Sequence, residues 1–312
     1  MDDARTNTGE RLAPHLALIA VQIMFGTWPV VGKVALRHIS TVGLVAFRVG
    51  GASIALTLLQ RQLAQLRQLP KKDLAWLAGA SLLGVVWNQL LYVKGLSLTT
   101  AINATLISTT IPVCTLLISV IIGHDRLTLR RLTGIALAIG GVVYLVDPMR
   151  ATFSGATMAG NLLIVANSFS YGAYIALSKN LFIRYGALNV ITWIFVIACV
   201  FVLPIGFVEF RHQSPLNLGP VVWLAIIYTI LIPTVLAYYL NAWALERVSA
   251  NTVAGYIYLQ PLIAFGLAPI VLGERWNWRT AISCVFIFVG VGIITSRGRS
   301  KAVREVATRP DT

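Results

Sequence analysis

Polar and aromatic side chains recur at helical spacing inside otherwise apolar stretches of this sequence. In one stretch, Asn167, Tyr171, Tyr174 and Ser178 occur at positions i, i+4, i+7 and i+11. This spacing places the four side chains on one face of a helix. Amide, hydroxyl and aromatic groups on a shared face are suited to binding a small molecule through hydrogen bonds and stacking.

Five further apolar stretches carry similar groups, and we predict that all six helices line one central cavity. The lipid-facing surface of a membrane helix is apolar, so polar faces are expected to turn inward. The predicted ligand-pathway residues are Trp28, Asn88, Tyr92, Asn103, Thr109, Asn167, Tyr171, Tyr174, Tyr238, Tyr256, Tyr258 and Gln260. Two alternatives stay open for individual residues: polar side chains that bridge helices, each contributing about 0.6 kcal/mol, and aromatic anchors at the membrane interface.

The sequence contains no arrangement typical of an enzyme or a metal site. HExxH, GxSxG and P-loop motifs are absent, as are closely spaced carboxylate pairs within the apolar stretches. The three cysteines, Cys114, Cys199 and Cys284, fall inside apolar stretches without the spacing of metal ligands or disulfides. We therefore expect no catalytic residue, no metal and no cofactor.

Charged residues bear on the kind of ligand. The acids Asp73, Asp147, Glu209, Glu246 and Glu274 map to the ends of apolar stretches or to loops. A transporter of cationic drugs, or one with a buried proton-carrying carboxylate, normally has an acid near the membrane midplane. Lys33 and Arg48 lie within apolar stretches but near their outer ends, so snorkelling to the interface is expected. A role in attracting anions at the outer mouth is the alternative.

Composition predicts the elements that must position these groups. Of the 312 residues, 57 % are hydrophobic and only 12 % are charged, against about 25 % charged in soluble domains. Apolar runs of about 18 residues recur throughout, which predicts an all-α membrane protein embedded in the lipid bilayer. The predicted transmembrane helices are 15–36, 42–59, 74–92, 101–122, 132–146, 158–177, 190–207, 221–240, 250–272 and 281–295.

The distribution of Lys and Arg predicts the orientation of these ten helices. Most basic residues fall on the side that also holds both ends of the chain, so the positive-inside rule places both termini in the cytoplasm. The predicted cytoplasmic tails are residues 1–14 and the basic segment 297–312. The net charge of +14 is explained by topology, and we expect no nucleic acid partner.

The chain repeats itself at an offset of 149 residues. The segment 96–113, "LSLTTAINATLISTTIPV", aligns without a gap on 245–262, and "HDRLTLRR" at 124–131 aligns on "GERWNWRT" at 273–280. Each repeat, 15–147 and 157–296, would contain five transmembrane helices. Because five is odd, the second repeat enters the membrane from the opposite side, which predicts an inverted-topology repeat and alternating access.

Two prolines occupy matching positions in the repeats. Pro112 and Pro261 each remove a backbone hydrogen bond within an apolar stretch and are predicted to break the helix there. Such a break can form part of a ligand site or act as a joint. A static kink is the alternative. Thr128 and Asn277 are predicted as N-caps of the last helix of each repeat.

The sequence resembles the EamA-type transporters of the drug/metabolite transporter superfamily, ten-helix proteins made of two EamA repeats. The resemblance covers about 15–296 and is carried by "FGTWPVVGKVAL", "SLTTAINATLISTTIPV", "RVSANTVAGYIYLQP", "LGERWNWRT" and "FVGVGII". It implies export and a cavity lined by helices 1, 3, 4, 6, 8 and 9, with the other four as scaffold. Gln260 departs from the family, where many relatives carry a carboxylate before the proline, which puts Glu-based coupling in doubt.

These observations predict a secondary transporter in the inner membrane of a bacterium. The expected ligands are small neutral or zwitterionic metabolites such as amino acids, because the cavity is rich in amide, hydroxyl and aromatic groups but lacks acids. Broad drug efflux is one alternative, and a membrane enzyme or a non-transporting scaffold is another. The substrate, the coupling ion and the oligomeric state, monomer or homodimer, are not determined by the sequence.

Overall fold

The computed structural model of the protein describes residues 3–60, 69–123, 127–146, 155–212, 218–275 and 278–295, and all regular structure within them is helical. The α-helices in chain order are α1 (Asp3–Leu36), α2 (Thr41–Gln60), α3 (Lys71–Ser81), α4 (Trp87–Leu98), α5 (Ala101–Ser108), α6 (Ile111–Ile121), α7 (Leu129–Val146), α8 (Gly155–Tyr185), α9 (Ala187–His212), α10 (Pro220–Ile230), α11 (Ala237–Arg247), α12 (Ala250–Gly255), α13 (Leu259–Leu272) and α14 (Trp278–Thr295). Helix α1 begins at Asp3 and so includes most of the predicted N-terminal tail, whereas 297–312 lies outside the described residues.

Seven helical segments are long and apolar enough to span a membrane within the described residues. They are Leu12–Leu36, Thr41–Gln60, Lys71–Leu98, Ala101–Ile121, Ala187–Phe210, Pro220–Arg247 and Ala250–Leu272. The predicted spans 132–146, 158–177 and 281–295 coincide with α7, α8 and α14, which are not among the seven. The structure therefore has the helices expected of a multi-pass membrane protein, while the count of ten and the orientation of the termini stay predictions.

The same interruptions occur in both halves of the chain, 149 residues apart. A π-helical segment, Leu82–Val86, joins α3 to α4, and a second, Leu231–Leu236, joins α10 to α11. Thr100 caps α5 by accepting a hydrogen bond from the Asn103 amide, as Ser249 caps α12 through the Thr252 amide. The sequence repeat is thus also a repeat of local structure. In both halves a capping hydroxyl satisfies a free amide of the first helical turn.

Helix packing follows the same correspondence. Helix α1 packs on α13, as its counterpart α8 packs on α6, and α4 packs on α8, as α11 packs on α1. Helix α2 packs on its own counterpart α9, and α7 on its counterpart α14. In the last pair the backbones touch, because a Cβ placed on Gly290 would lie 2.5 Å from the Gly134 carbonyl oxygen. Small residues allow such close approach between membrane helices.

The largest fully buried side chains lie where the two halves meet. Trp193, Tyr174, Phe182 and Phe195 are all less than 2 % exposed. The ring of Phe195, on α9, packs edge-on against Tyr238 of α11, with 5.3 Å between ring centroids. Tyr238 also lines the central cavity, so Phe195 packs directly behind the cavity wall.

Candidate functional site

A central cavity lies between the two halves, and both contribute to its lining. Its volume is about 60 Å³ in this structure, below the roughly 300–1,000 Å³ of a typical ligand pocket, so the cavity is narrow and opens to one side. The lining residues are Phe25, Trp28, Arg48, Asn88, Gln89, Tyr92, Ser108, Ile111, Asn167, Tyr171, Tyr238 and Gln260. The helices that the sequence assigned to the cavity all contribute, and α2 adds Arg48, although the sequence assigned it to the scaffold.

Seven of the twelve predicted pathway residues line this cavity. They are Trp28, Asn88, Tyr92, Asn167, Tyr171, Tyr238 and Gln260. Their side chains come from α1, α4, α8, α11 and α13, so the polar stripes do converge on one volume. Their part in moving a ligand stays a prediction.

The other five predicted residues do not line it. Asn103 lies in the first turn of α5, and the Thr109 hydroxyl donates to the Leu106 carbonyl 2.6 Å away, at the end of the same helix. Both serve the local helix geometry. Such bonds between a side chain and the backbone a few residues earlier satisfy groups freed at a helix end.

The remaining three are tyrosines with other surroundings. Tyr174 is 2 % exposed and packs behind the cavity wall against Gly84. The Tyr256 hydroxyl is 2.8 Å from Nδ1 of His15, on α1. Tyr258 packs against Phe288, with 5.8 Å between ring centroids, and its buried hydroxyl has no hydrogen-bond partner among the described residues. These rings join helices.

Pro112 and Pro261 each lie in the first turn after an interruption. Pro112 is the second residue of α6, which follows a break at Thr109 and Thr110. Pro261 is the third residue of α13, which follows a 3₁₀ turn at Tyr256–Tyr258. A proline is tolerated there because a first-turn amide has no intrahelical partner. The chain is thus interrupted just before each proline.

Hydrogen bonds tie the cavity walls together. The Tyr238 hydroxyl lies 2.9 Å from Oδ1 of Asn88 and 3.1 Å from the carbonyl of Gly84, in the first π segment. Nδ2 of Asn167 donates to the Asn88 carbonyl, 2.8 Å away, which links α8 to α4. Across the cavity, Nε2 of Gln260 donates to Oε1 of Gln22 at 2.7 Å. Two separate sets of hydrogen bonds thus join five helices around the cavity, one linking α4, α8 and α11 and the other linking α1 and α13.

Arg48 is buried in the centre of the protein, and the prediction that it snorkels to the interface is wrong. Its side chain is 3 % exposed, and its guanidinium carbon lies 3.8 Å from the centre of the Trp28 ring. Nε donates to the Thr234 hydroxyl at 3.0 Å. Thr234 belongs to the second π segment, where its own hydroxyl donates to the Thr229 carbonyl. Because α2 is enclosed by α9 and α10, Arg48 is held away from the interface.

Four lining residues besides Arg48 are not among the twelve predicted pathway residues. Gln89 follows the predicted Asn88, Ser108 precedes the predicted Thr109, and Phe25 belongs to the same stripe as Trp28. These three neighbour predicted positions, so a wider stripe would have included them. Ile111 has no polar signal at all. Arg48 carried the strongest signal, a lone charge in an apolar stretch.

Glu274 joins the end of α13 to the beginning of α5. Its two carboxylate oxygens accept hydrogen bonds from the amides of Ala101 and Ile102, at 2.8 and 3.0 Å. Gly273, with φ of 69°, ends α13 in the left-handed conformation that turns the chain toward α5. Lys33 lies 3.6 Å from the same carboxylate. An anion at a helix N-terminus is stabilised by the free amides and the helix dipole.

The matching end of the second half is less enclosed. Of the most apolar 18-residue window in each segment, 78 % is buried in Ala101–Ile121 but only 28 % in Ala250–Leu272. The counterpart of Glu274 at the offset of 149 is Asp125, which lies outside the described residues, as does the predicted cap Asn277. Thr128 does cap α7, through the Arg131 amide at 3.3 Å. The two equivalent segments thus have different surroundings in this structure.

The described residues contain no group of three or more His, Cys, Asp or Glu side chains placed to hold a metal ion. The three cysteines are free and half-buried. What the cavity offers is a guanidinium, four amides, a hydroxyl of Ser108 and five aromatic rings. These groups are suited to binding and orienting a small molecule.

Comparison with known proteins covers both halves of the chain. The sequence model of a family described as "EamA-like transporter family" matches residues 12–146 and again 158–296. An uncharacterized transporter of Archaeoglobus fulgidus is 25 % identical over 287 residues, which cover 91 % of this chain and 97 % of that protein. The uncharacterized transporter YetK of Bacillus subtilis is 26 % identical over 292 residues, covering 90 % and 88 %.

Relatives extend beyond bacteria and archaea, and a solved structure shares the fold. A WAT1-related protein of Arabidopsis thaliana is 26 % identical over 328 residues, which cover 94 % of this chain and 86 % of that protein. A crystal structure aligns with a TM-score of 0.61 and 19 % identity, covering 91 % of this chain and 98 % of the other. At that identity the alignment bears on the fold alone.

Proposed function

Because this chain belongs to the EamA-like transporter family, and is therefore a membrane transporter and not an enzyme, we propose that it is a secondary transporter that exports small metabolites. The proposed ligands are neutral or zwitterionic, with amino acids as the leading example. The proposed site of action is the inner membrane of a bacterium, and the proposed mechanism is alternating access. The central cavity between the two repeats is the observation that carries the proposal.

The lining supports a small polar ligand with an apolar part. Asn88, Asn167 and Gln260 present amides, while Trp28 and Tyr171 present aromatic faces. Ligand pockets combine such apolar walls with a few fixed polar groups that set orientation. An amino acid has both kinds of surface.

The unequal surroundings of the two repeats support alternation. Helix α5 is capped by Glu274 and buried, whereas its counterpart α12 is more exposed. If the two repeats exchange these arrangements, the closed end of the cavity changes sides, which is the motion expected of inverted repeats.

Efflux from vesicles tests the proposal. Vesicles loaded with labelled amino acids are expected to lose at least one of them faster when they contain the protein. Asn167→Ala removes a cavity amide and its hydrogen bond to α4. A loss of about 1–3 kcal/mol corresponds to a drop in apparent affinity of about fivefold to a hundredfold.

Asn180→Ala is the matched control, because Asn180 is exposed on the same helix, α8. It is expected to transport like the original protein. Absence of flux for every amino acid, together with flux of another class of solute, would reject the ligand. Flux of no solute, with Asn167→Ala and Asn180→Ala equally inert, would favour a scaffold.

Broad drug efflux is the second candidate, and the aromatic lining favours it. Five of the lining residues are aromatic, namely Phe25, Trp28, Tyr92, Tyr171 and Tyr238. However, Arg48 places a positive charge in the same cavity, and like charges disfavour the cationic drugs that such pumps often export. Raised resistance of cells to lipophilic cations on expression of the protein would support this candidate over the first.

A further inference from the structure

Arg48 is a buried charge without an acidic partner among the described residues. Four acidic side chains are described. Asp73 pairs with Arg184, Glu246 with Arg247 and Glu274 with Lys33. The fourth, Glu209 on α9, is not within ion-pair distance of Arg48. No carboxylate that the structure describes thus neutralises the guanidinium.

The contacts that Arg48 does make satisfy it only in part. One face of the guanidinium lies on Trp28, and Nε is bonded to Thr234. A guanidinium has five N–H groups, and the four on its terminal nitrogens have no hydrogen-bond partner among the described residues. A buried charge is costly unless it is paired and hydrogen-bonded. The terminal nitrogens of Arg48 are therefore available to a ligand in the cavity that Arg48 lines.

A second unsatisfied group lines the same cavity. Gln89 is 1 % exposed, and neither its amide nitrogen nor its amide oxygen has a hydrogen-bond partner in the described part of the chain. The Tyr238 hydroxyl lies close to it but without the geometry of a hydrogen bond. Buried amides of this kind are nearly always bonded. Gln89 thus offers two free N–H donors beside a cavity that also contains a guanidinium.

We propose that Arg48 and Gln89 form a subsite for the carboxylate of the transported molecule. The planar fork of an arginine matches the two oxygens of a carboxylate, and the Gln89 amide donates to the same group. This inference rests on the proposed function and narrows it, because the ligand must carry a carboxylate. A neutral metabolite without one would leave the guanidinium unpaired.

The single positive charge sets the charge of the ligand. Arg48 is the only cation among the lining residues, so it balances one negative charge. A phosphate monoester carries about −1.5 to −2 at neutral pH and would be left partly unneutralised. The ligand class is therefore a monocarboxylate, either an amino acid or a simple organic acid. An ammonium group, where present, meets aromatic faces and amide oxygens, since no acid lines the cavity.

Matched solutes test the subsite directly. The purified protein in detergent is heated with each standard amino acid, with the deaminated monocarboxylate of the same side chain, and with the amino acid amide that lacks the carboxylate. Thermal stabilisation is expected from at least one carboxylate and not from its amide. The simple monocarboxylate of that side chain is expected to stabilise as well.

Variants of Arg48 separate binding from structure. Arg48→Met removes the charge and keeps an apolar stem, and it is expected to lower the affinity for the carboxylate about tenfold or more. Without ligand this variant is expected to be as stable as the original or more so, because it no longer buries an unpaired charge. Gln89→Leu is expected to lower the affinity for the same carboxylate. The affinity of Arg48→Lys is expected to fall between those of the original protein and Arg48→Met, because lysine keeps the charge but lacks the planar pair of donors.

Arg37→Met is the matched control, because Arg37 is exposed in the turn after α1. It is expected to bind like the original protein. The proposal is overturned if amides stabilise as well as carboxylates, if no carboxylate stabilises the protein, or if Arg48→Met binds normally. Flux of a solute without a carboxylate, unchanged in Arg48→Met, would overturn the subsite while leaving the proposed export function intact.

Discussion

At the scale of single residues, a half-buried carboxylate and a buried guanidinium are stabilised in different ways. The Glu274 carboxylate is held by two backbone amides of α5 and by Lys33. Arg48 has one hydrogen bond and one aromatic face. A charge with a complete set of protein partners is structural, whereas one with an incomplete set is available to a ligand. We therefore assign Glu274 a structural role as a cap of α5 and Arg48 a role in binding the transported molecule.

Glu274→Gln tests the structural assignment. The amide keeps one acceptor oxygen but loses the charge that interacts with the α5 dipole and with Lys33. We expect a loss of about 1 kcal/mol in stability, seen as a lower midpoint of thermal unfolding in detergent. Glu209→Gln is the control, because Glu209 forms no ion pair with any residue that the structure describes. Equal midpoints for the two variants would contradict the capping role.

The sequence predicted cavity-lining residues better where several polar residues share one helix face than where a single polar residue occurs in an apolar stretch. Asn167 and Tyr171 reinforce each other at i and i+4, and both line the cavity. Tyr174 belongs to the same stripe but is turned onto Gly84, because a stripe is broad and the cavity meets only part of it. The prediction for Arg48 was wrong because it used only the distance of Arg48 from the end of the span. Tertiary packing decides which face of α2 turns inward, and the sequence does not show this.

At the scale of helices, the interruptions bring functional groups together. The first π segment presents the Gly84 carbonyl to Tyr238, and the second presents the Thr234 hydroxyl to Arg48. A π segment widens a helix by one residue and often occurs at functional sites. Each half of the chain thus supplies one such segment, and each contacts a cavity residue from a neighbouring helix.

Gly84→Ala tests the close packing at the first interruption. A Cβ on Gly84 would lie 2.4 Å from the Tyr174 ring, so we expect destabilisation of about 1–3 kcal/mol from overpacking. Gly79→Ala, in the adjoining α3, is the control, since nothing lies within 4 Å of its added methyl group. It is expected to be neutral or slightly stabilising. Thermal unfolding of both variants measures the difference, and a neutral Gly84→Ala would contradict the packing.

Helix ends were easier to predict than interruptions within helices. Pro112 and Pro261 indicated breaks, and the structure has an interruption directly before each. Thr128 indicated a cap and is one. Nothing comparable in the sequence indicates the π segments, because a π segment inserts one residue without requiring a particular residue type. The tertiary hydrogen bonds that stabilise it join residues 154 and 186 positions apart in the chain.

At the scale of the whole molecule, the duplication organises both packing and function. Corresponding helices pack on corresponding partners, and residues of both repeats enclose the cavity. The offset of 149 was visible in the sequence, so the twofold plan could be predicted. The unequal burial of α5 and α12 could not, because equivalent sequences allow both arrangements and only a folded state selects one.

Cysteine labelling tests the inverted relation of the repeats. Leu129 and Trp278 are counterparts at the offset of 149, and they are 79 % and 84 % exposed. In a background where the three native cysteines are replaced, we expect an impermeant thiol reagent on intact cells to label Trp278→Cys alone. Leu129→Cys is expected to react only after permeabilisation. Labelling of both from one side would contradict the inverted repeat, whereas an exchange of the two results would contradict only the cytoplasmic termini.

The lone guanidinium in the cavity also bears on energetics. A monocarboxylate carries one negative charge, and its outward passage across a membrane that is negative inside is favoured by about 2.3 kcal/mol for each 100 mV. An electrically neutral zwitterion gains nothing from the same voltage. Where the cargo held by Arg48 is an organic anion, the resting voltage would therefore drive its export without an ion moving in return, whereas export of a zwitterion would draw on another source of energy.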